Sequence, residues 1–152
     1  IPVLLKQAGY RTVLIGKWHL GYDYQFHPMN YGFDEFRGYV GGNVDYHTHT
    51  AGYGLKQLDW WHNRKIKNEE GYTTDLLTRY AADFIARNKD HPCFLYLAHG
   101  SPHDPWQGRD PDSTKSPPVP LTASQKPWFP LKALASKPKV LVPPRWGFNV
   151  RA

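Results

Sequence analysis

Cysteine is almost missing from this chain of 152 residues. Cys93 stands alone, so no disulfide can form within it. Long apolar runs are missing too. No stretch is long and apolar enough to span a membrane, and no signal-peptide pattern stands at Ile1. The opening Ile1–Gly9 instead reads as the end of a helix, with Gly9 in the stop position, so the chain reads as starting inside a domain. Acidic residues are scarce in one region. Residues 111–152 hold seven Lys and Arg against Asp112 alone, whereas residues 1–110 hold 12 of each sign. The formal charge of +6 therefore belongs to the tail, and net charge gives no reason to read residues 1–110 as a nucleic-acid binder. The tail also takes nine of the 14 prolines and none of the eight histidines. It reads as a Pro/Lys-rich segment, disordered or non-homologous, with a frameshift product as the leading explanation. The domain proper is expected over residues 1–110.

What is present is punctuated by two apolar runs. Thr12-Val13-Leu14-Ile15 and Pro92-Cys93-Phe94-Leu95-Tyr96-Leu97 read as buried strands, with Cys93 as a small core residue. Between them, Leu76, Leu77, Tyr80, Ala81, Phe84 and Ile85 make a one-sided stripe that predicts a helix over about 74–88. Thr73 or Thr74 is the expected cap, with Asp75 favourable in the first turn. Continuous rather than alternating strands predict a parallel sheet covered on both faces, in an α/β fold. Residues 17–70 are expected as one long loop, which starts at the carboxyl edge of the sheet where such folds bind ligands.

Gly16-Lys17-Trp18-His19-Leu20-Gly21 follows the first strand. In extended backbone Lys17 and His19 face one side, which joins a fixed cation to an acid–base group. His103 follows the second strand, so a parallel sheet brings it to the same edge. In the long loop, Gly41-Gly42-Asn43-Val44-Asp45-Tyr46-His47-Thr48-His49 places two histidines at alternate positions. That spacing suits zinc, but four ligands with partners are not evident. Trp60 and Trp61 suit either stacking on a sugar or a core, the core being the commoner role.

Gly9-Tyr10-Arg11-Thr12-Val13-Leu14-Ile15 running into Gly16–Gly21 resembles a signature stretch of the type I sulfatases. The resemblance continues at His27-Pro28, at Gly32-Phe33-Asp34-Glu35-Phe36-Arg37-Gly38 and at Thr74-Asp75-Leu76-Leu77. It ends with Phe94–Ala98 followed by Ser101-Pro102-His103-Asp104-Pro105, so that it covers about residues 1–110. It implies a partial alkaline-phosphatase-like α/β fold, a mainly parallel sheet flanked by helices. It implies sulfate ester hydrolysis through a formylglycine nucleophile and a calcium ion. By the same resemblance Lys17 contacts a sulfate oxygen, His19 acts at the formylglycine hydroxyl and His103 serves the leaving group. His49, or failing that His47, contacts the substrate, a sulfated small molecule or saccharide. No nucleic acid or membrane partner is implied. The formylglycine precursor, a Cys or Ser followed by Pro or Ala two on and Arg four on, is not met by Cys93, and no Asp-Asn pair of the calcium site occurs. Calcium ligands are expected outside this chain, which holds no metal residue of its own. The alternatives are a phosphatase or phosphonate hydrolase of the same superfamily, against which the Gly-Lys-Trp-His-Leu-Gly stretch argues, or a non-catalytic remnant.

Overall fold

A computed structural model describes residues 1–52 and 56–110. The expectation for the Pro/Lys-rich tail from 111 onward lies outside the described residues. Helix α1 (Pro2–Gln7) starts on a proline, whose fixed φ suits a first turn, and is stopped at Gly9, where φ is 87°. Strand β1 (Arg11–Lys17) follows. Val13, Leu14 and Ile15 are completely buried, as a strand covered on both faces requires. Val13 and Ile15 join one core cluster, and Leu14 joins another across the sheet.

The region expected as a single loop contains three further strands. β2 (Glu35–Tyr39) pairs in parallel with β1, from Val13 beside Glu35 to Lys17 beside Tyr39. β3 (Trp61–His62) and β4 (Lys65–Ile66) form an antiparallel hairpin, which adds to the outer side of β2. Strand β2 has no apolar run to announce it. Glu35 and Arg37 alternate with Phe36, and only the buried Phe36 and Tyr39 carry its apolar content. Two single turns of 3-10 helix, Tyr24–Phe26 and Pro28–Tyr31, lie in the connection from β1 to β2.

Helix α2 (Thr73–Arg87) lays Leu76, Leu77, Tyr80, Ala81 and Phe84 against Val13, Ile15 and Tyr39. Ile85, expected on that stripe, is 53% exposed, because it falls one step round from Phe84 at the edge of the buried face. No threonine caps the helix. The N-cap is Tyr72, and no side chain fills the role. Both the N–H and the hydroxyl of Thr73 donate to the Tyr46 carbonyl instead, at 2.8 and 3.0 Å. Thr74 Oγ1 lies 3.3 Å from Ser101 Oγ. The two residues expected to cap the helix tie its start to the loops of the site.

Strand β5 (Cys93–Ala98) pairs in parallel with β1, Gly16 lying beside Ala98, and gives the order β4-β3-β2-β1-β5. It is not the doubly covered strand that its composition suggests. Tyr96 and Leu97 are 48% and 38% exposed, and Cys93 is exposed as well. β5 is the last strand of the described sheet, so its outer side and part of its faces remain open. No helix among the described residues is long and apolar enough to cross a membrane.

Candidate active site

Three strands end together at one edge of this sheet, because β1, β2 and β5 all run in the same direction. Their close approach there depends on glycine. Gly16 and Gly38 are register partners with φ of 115° and 145°, which side chains rarely tolerate. A Cβ on Gly38 would meet the backbone of Gly16, and one on Gly16 would run into the carbonyl of Ala98. Lys17 stands directly after this contact, half-buried, and takes part in none of the described ion pairs.

Pairing with β2 runs on past the end of the strand. Trp18 N–H donates to the Tyr39 carbonyl at 3.0 Å, and His19 N–H to the Val40 carbonyl at 3.1 Å. Yet His19 adopts φ of 57°, so the extended backbone expected to put Lys17 and His19 on one side ends before it. The ring of exposed His19 lies over Gly42, where an added Cβ would sit 2.7 Å from Nε2. Gly41 is equally hemmed in, by the Tyr22 hydroxyl and the Asp59 carboxylate.

Asp59 is the residue that sequence reasoning passed over. It is only 4% exposed, and its carboxylate accepts from Val40 N–H at 3.0 Å, Gly41 N–H at 2.8 Å and Trp61 Nε1–H at 2.7 Å. It therefore fixes the backbone on which the His19 ring rests. The only signal in the sequence was one acid inside the aromatic run Leu58-Asp59-Trp60-Trp61.

His103 lies on the loop after β5, at the same sheet edge, and is exposed. Its Nδ1 is 2.9 Å from the Asp104 carbonyl. A carbonyl only accepts, so Nδ1 carries the proton and Nε2 is the nitrogen left for chemistry. Hydrogen bonds join this loop to the segment after Gly42. Asn43 Nδ2 donates to the Asp104 carboxylate at 3.1 Å, and the Tyr46 hydroxyl donates to the His103 carbonyl at 3.0 Å. His19 and His103 thus border the same short stretch, Gly42–Asn43.

The two histidines of the long loop part company. His47 is half-buried beside the His103 loop, its Nε2 donating to the Gly108 carbonyl at 3.0 Å and its ring tilted against Tyr72. His49 is completely buried and stacks on Trp60 at 4.3 Å between centroids. Neither of its ring nitrogens has a hydrogen-bond partner; the backbones of Gly71 and Glu69 face the ring without closing a bond. Burial holds its pKa below the ordinary histidine value. The better sequence match for substrate contact is a core side chain, and the fallback, His47, is the one near the edge. Trp60 is also completely buried, in keeping with the core alternative.

Among the described residues no three His, Cys, Asp or Glu side chains are grouped to hold a metal ion. Cys93 begins β5, opposite Arg11, and so stands at the far edge of the sheet from Lys17. The described residues therefore group no calcium cage, and Cys93 is not placed to serve as a formylglycine precursor at this edge.

Residues 1–126 match the sulfatase family model, a stretch that runs beyond residue 110. Human N-acetylgalactosamine-6-sulfatase is 34% identical over 121 residues, which cover 73% of this chain and 23% of that protein. The solved structure of Ps i-CgsB in complex with k-i-k-neocarrahexaose is 37% identical with a TM-score of 0.64, over 78% of this chain and 30% of that one. A structure of BT4656 in complex with its substrate D-Glucosamine-2-N, 6-O-disulfate is 35% identical with a TM-score of 0.53, over 70% and 19% of the two chains. The chain spans less than a quarter of the human relative. Its motif order, its sheet of three parallel strands with an added antiparallel hairpin, and the match over most of its length agree on one conclusion: the chain belongs to the sulfatase family, with the alkaline-phosphatase-like fold of its structural neighbours.

Proposed function

We propose that these residues form part of the active site of a sulfuric ester hydrolase whose substrate is a sulfated saccharide. The observation that carries this reading is the common edge of β1, β2 and β5, from which the segments bearing Lys17, His19 and His103 all leave. Relatives that act on or bind sulfated sugars support the substrate class. Calcium and formylglycine are family-typical and supply Lewis acidity and the nucleophile when present. The described residues do not fit either group, so the chemistry below is that of the chain's own side chains.

Cleavage of a sulfate ester redistributes charge over the sulfuryl oxygens and moves negative charge onto the departing sugar oxygen. Lys17 carries no competing carboxylate among the described residues, so its ammonium is available to a sulfuryl oxygen. His103 holds its Nδ1 proton on Asp104, so a proton delivered to the leaving oxygen comes from Nε2 of the imidazolium. His19, seated on Gly42, places a ring that can hold or release a proton at the same edge. His47 borders the sugar side, the role that buried His49 cannot fill without the core opening.

The test is binding, followed by NMR of the side-chain signals. N-acetylgalactosamine-6-sulfate should perturb Lys17, His19 and His103 together, and N-acetylgalactosamine should not. Equal response to both sugars, or no response at Lys17, rejects the reading.

A further inference from the structure

Gln107 joins two loops 61 and 62 positions apart in sequence, through both ends of one side-chain amide. Its Oε1 accepts from Tyr46 N–H at 2.7 Å, and its Nε2 donates to Asp45 Oδ2 at 2.7 Å. The two partners leave no choice of orientation, because a backbone N–H only donates and a carboxylate only accepts. The main chain of Gln107 is held as well, its carbonyl accepting from the Tyr72 hydroxyl at 2.8 Å. Asp45 is itself fixed. Its other oxygen accepts from the backbone N–H of His47 at 3.0 Å and of Thr48 at 2.8 Å. Burial opposes its charge, but the bonds from Thr48, Gln107 and His47 outweigh burial and bring its pKa down to about 2. A charged, fully engaged carboxylate therefore stands opposite a neutral amide that fits it at both ends.

We propose that Asp45 and Gln107 form a clasp that positions His103. The proposal rests on the reading of His103 as the group that serves the leaving oxygen. His103 sits four residues before Gln107, on an exposed loop otherwise attached to the 43–47 segment by Asn43, whose Nδ2 reaches the Asp104 carboxylate at 3.1 Å and its carbonyl at 3.5 Å, and by single bonds at Tyr46 and His47. The clasp joins the loops through two bonds of 2.7 Å each, made by opposite ends of one amide, and one of them goes to a charge, the stronger kind of bond. The same amide fixes the backbone of Tyr46, whose hydroxyl holds the His103 carbonyl. Gln107 thus reaches His103 by two routes, along its own loop and through Tyr46. It touches neither substrate nor reacting atoms and is a positioning residue.

The chain itself, with isotope-labelled histidine side chains and backbone amides, provides the test. In Gln107→Ala, exchange of the Tyr46 amide should quicken about tenfold or more, the factor expected when its own bond and the charged bond to Asp45 are lost together. The His103 ring signals should shift or broaden, while the amides of Val13, Leu14 and Ile15 stay protected. Gln107→Glu gives a readout that loss of fold cannot imitate. Ionised, a glutamate repels Asp45, and this like-charge neighbour raises its own pKa above the ordinary 4.3 or so. Protonated, it offers an acceptor to Tyr46 and a donor to Asp45, as glutamine does. The Gln107→Glu chain should resemble Gln107→Ala at pH 7 and regain the wild-type Tyr46 and His103 signals near pH 5, which is about the point where such a carboxyl is protonated. The other titrating or charged groups around the clasp are His47, Tyr72, His103, Asp104 and the Asp75–Arg109 pair. Their response is common to wild type and Gln107→Ala, and is subtracted. Unchanged His103 signals in a folded Gln107→Ala chain, or no recovery of Gln107→Glu on acidification, overturns the clasp. No sulfate ester is used, so a failed clasp and a failed sulfatase reading give separate results.

Discussion

Lys17 and His49 both came from one resemblance, and their surroundings now separate them. Lys17 is a half-buried cation without an ion-pair partner among the described residues, at the edge where three strands end. His49 is a neutral ring packed on Trp60 with no route to solvent. In an active enzyme carrying these residues, Lys17→Ala should lower turnover on the order of 100- to 1,000-fold, the usual effect of removing a preorganised electrostatic partner, and leave the unfolding midpoint in place. His49→Ala should do the reverse. Its cavity beside Trp60 should cost about 2–5 kcal/mol of stability, read by urea denaturation, with turnover of the folded fraction close to normal. A Lys17→Ala enzyme of normal turnover number rejects the assignment. The place of Lys17, His19 and His103 at one sheet edge was legible because each stands in a short motif just after a strand. Asp59 and Gln107 were not, since their work is done on the backbone amides of residues distant in sequence, and no local pattern marks that. The burial of His49 was illegible for a related reason: the alternation of His47 and His49 tells which side each ring takes, but not which side is filled.

At the scale of elements, β1, α2 and β5 were readable with nearly their observed limits because each carries a run or stripe of apolar residues long enough to set a period. β2 was not, being five residues with two charges, and a two-residue hairpin around Asn63 has no period at all. What makes β2 a strand is its place between β1 and the hairpin. Arg37 Nη1 meets His62 Nδ1 at 2.6 Å, and Asn63 Oδ1 accepts from Phe36 N–H at 3.0 Å, so side chains across the sheet stabilise a segment of weak intrinsic preference. The reverse holds for β5, whose apolar run was read as a covered strand although an open edge leaves Tyr96 and Leu97 exposed. The join between β1 and β2 at Gly16 and Gly38 leaves no room for a side chain. Gly38→Ala would force a side chain against the Gly16 backbone at φ of 145°. The strained backbone alone should cost about 1–3 kcal/mol, with the steric contact in addition. Denaturant midpoints should show Gly38→Ala far less stable than Gly9→Ala, whose added Cβ meets nothing within 4 Å. Equal loss at the two positions would refute the close approach of the strands.

Across the whole described fold, the histidines that hold the structure are distinct from those at the sheet edge, and acid should find the structural ones first. His27, His49 and His62 all have pKa values lowered from 6.5, with burial as the largest cause in each. Arg64 adds to the effect at His27 and Arg37 at His62, while Glu69 opposes it at His62 and at His49. The direction for stability follows from which state binds protons more readily. An unfolded histidine is protonated as pH falls through about 6.5, whereas the folded ones resist, so the unfolded chain gains protons and the fold loses free energy. The contribution of these three rings is complete above that pH and declines below it. The carboxylates act later. Asp34, Asp45 and Glu69 have pKa values lowered from 3.8, 3.8 and 4.5, so the stability they add disappears only as pH falls below those values. Two stages of acid loss should therefore be separable. Between pH 7 and 5 the urea midpoint should fall steadily, before the carboxylates take part. His49→Phe keeps an aromatic ring against Trp60 and removes one titrating group, so it should make that slope shallower without altering the steeper loss below pH 4.5. A wild-type midpoint that stays level from pH 7 to 5 would show that these rings are not held neutral by burial. A His49→Phe slope equal to that of wild type would remove His49 in particular from the account.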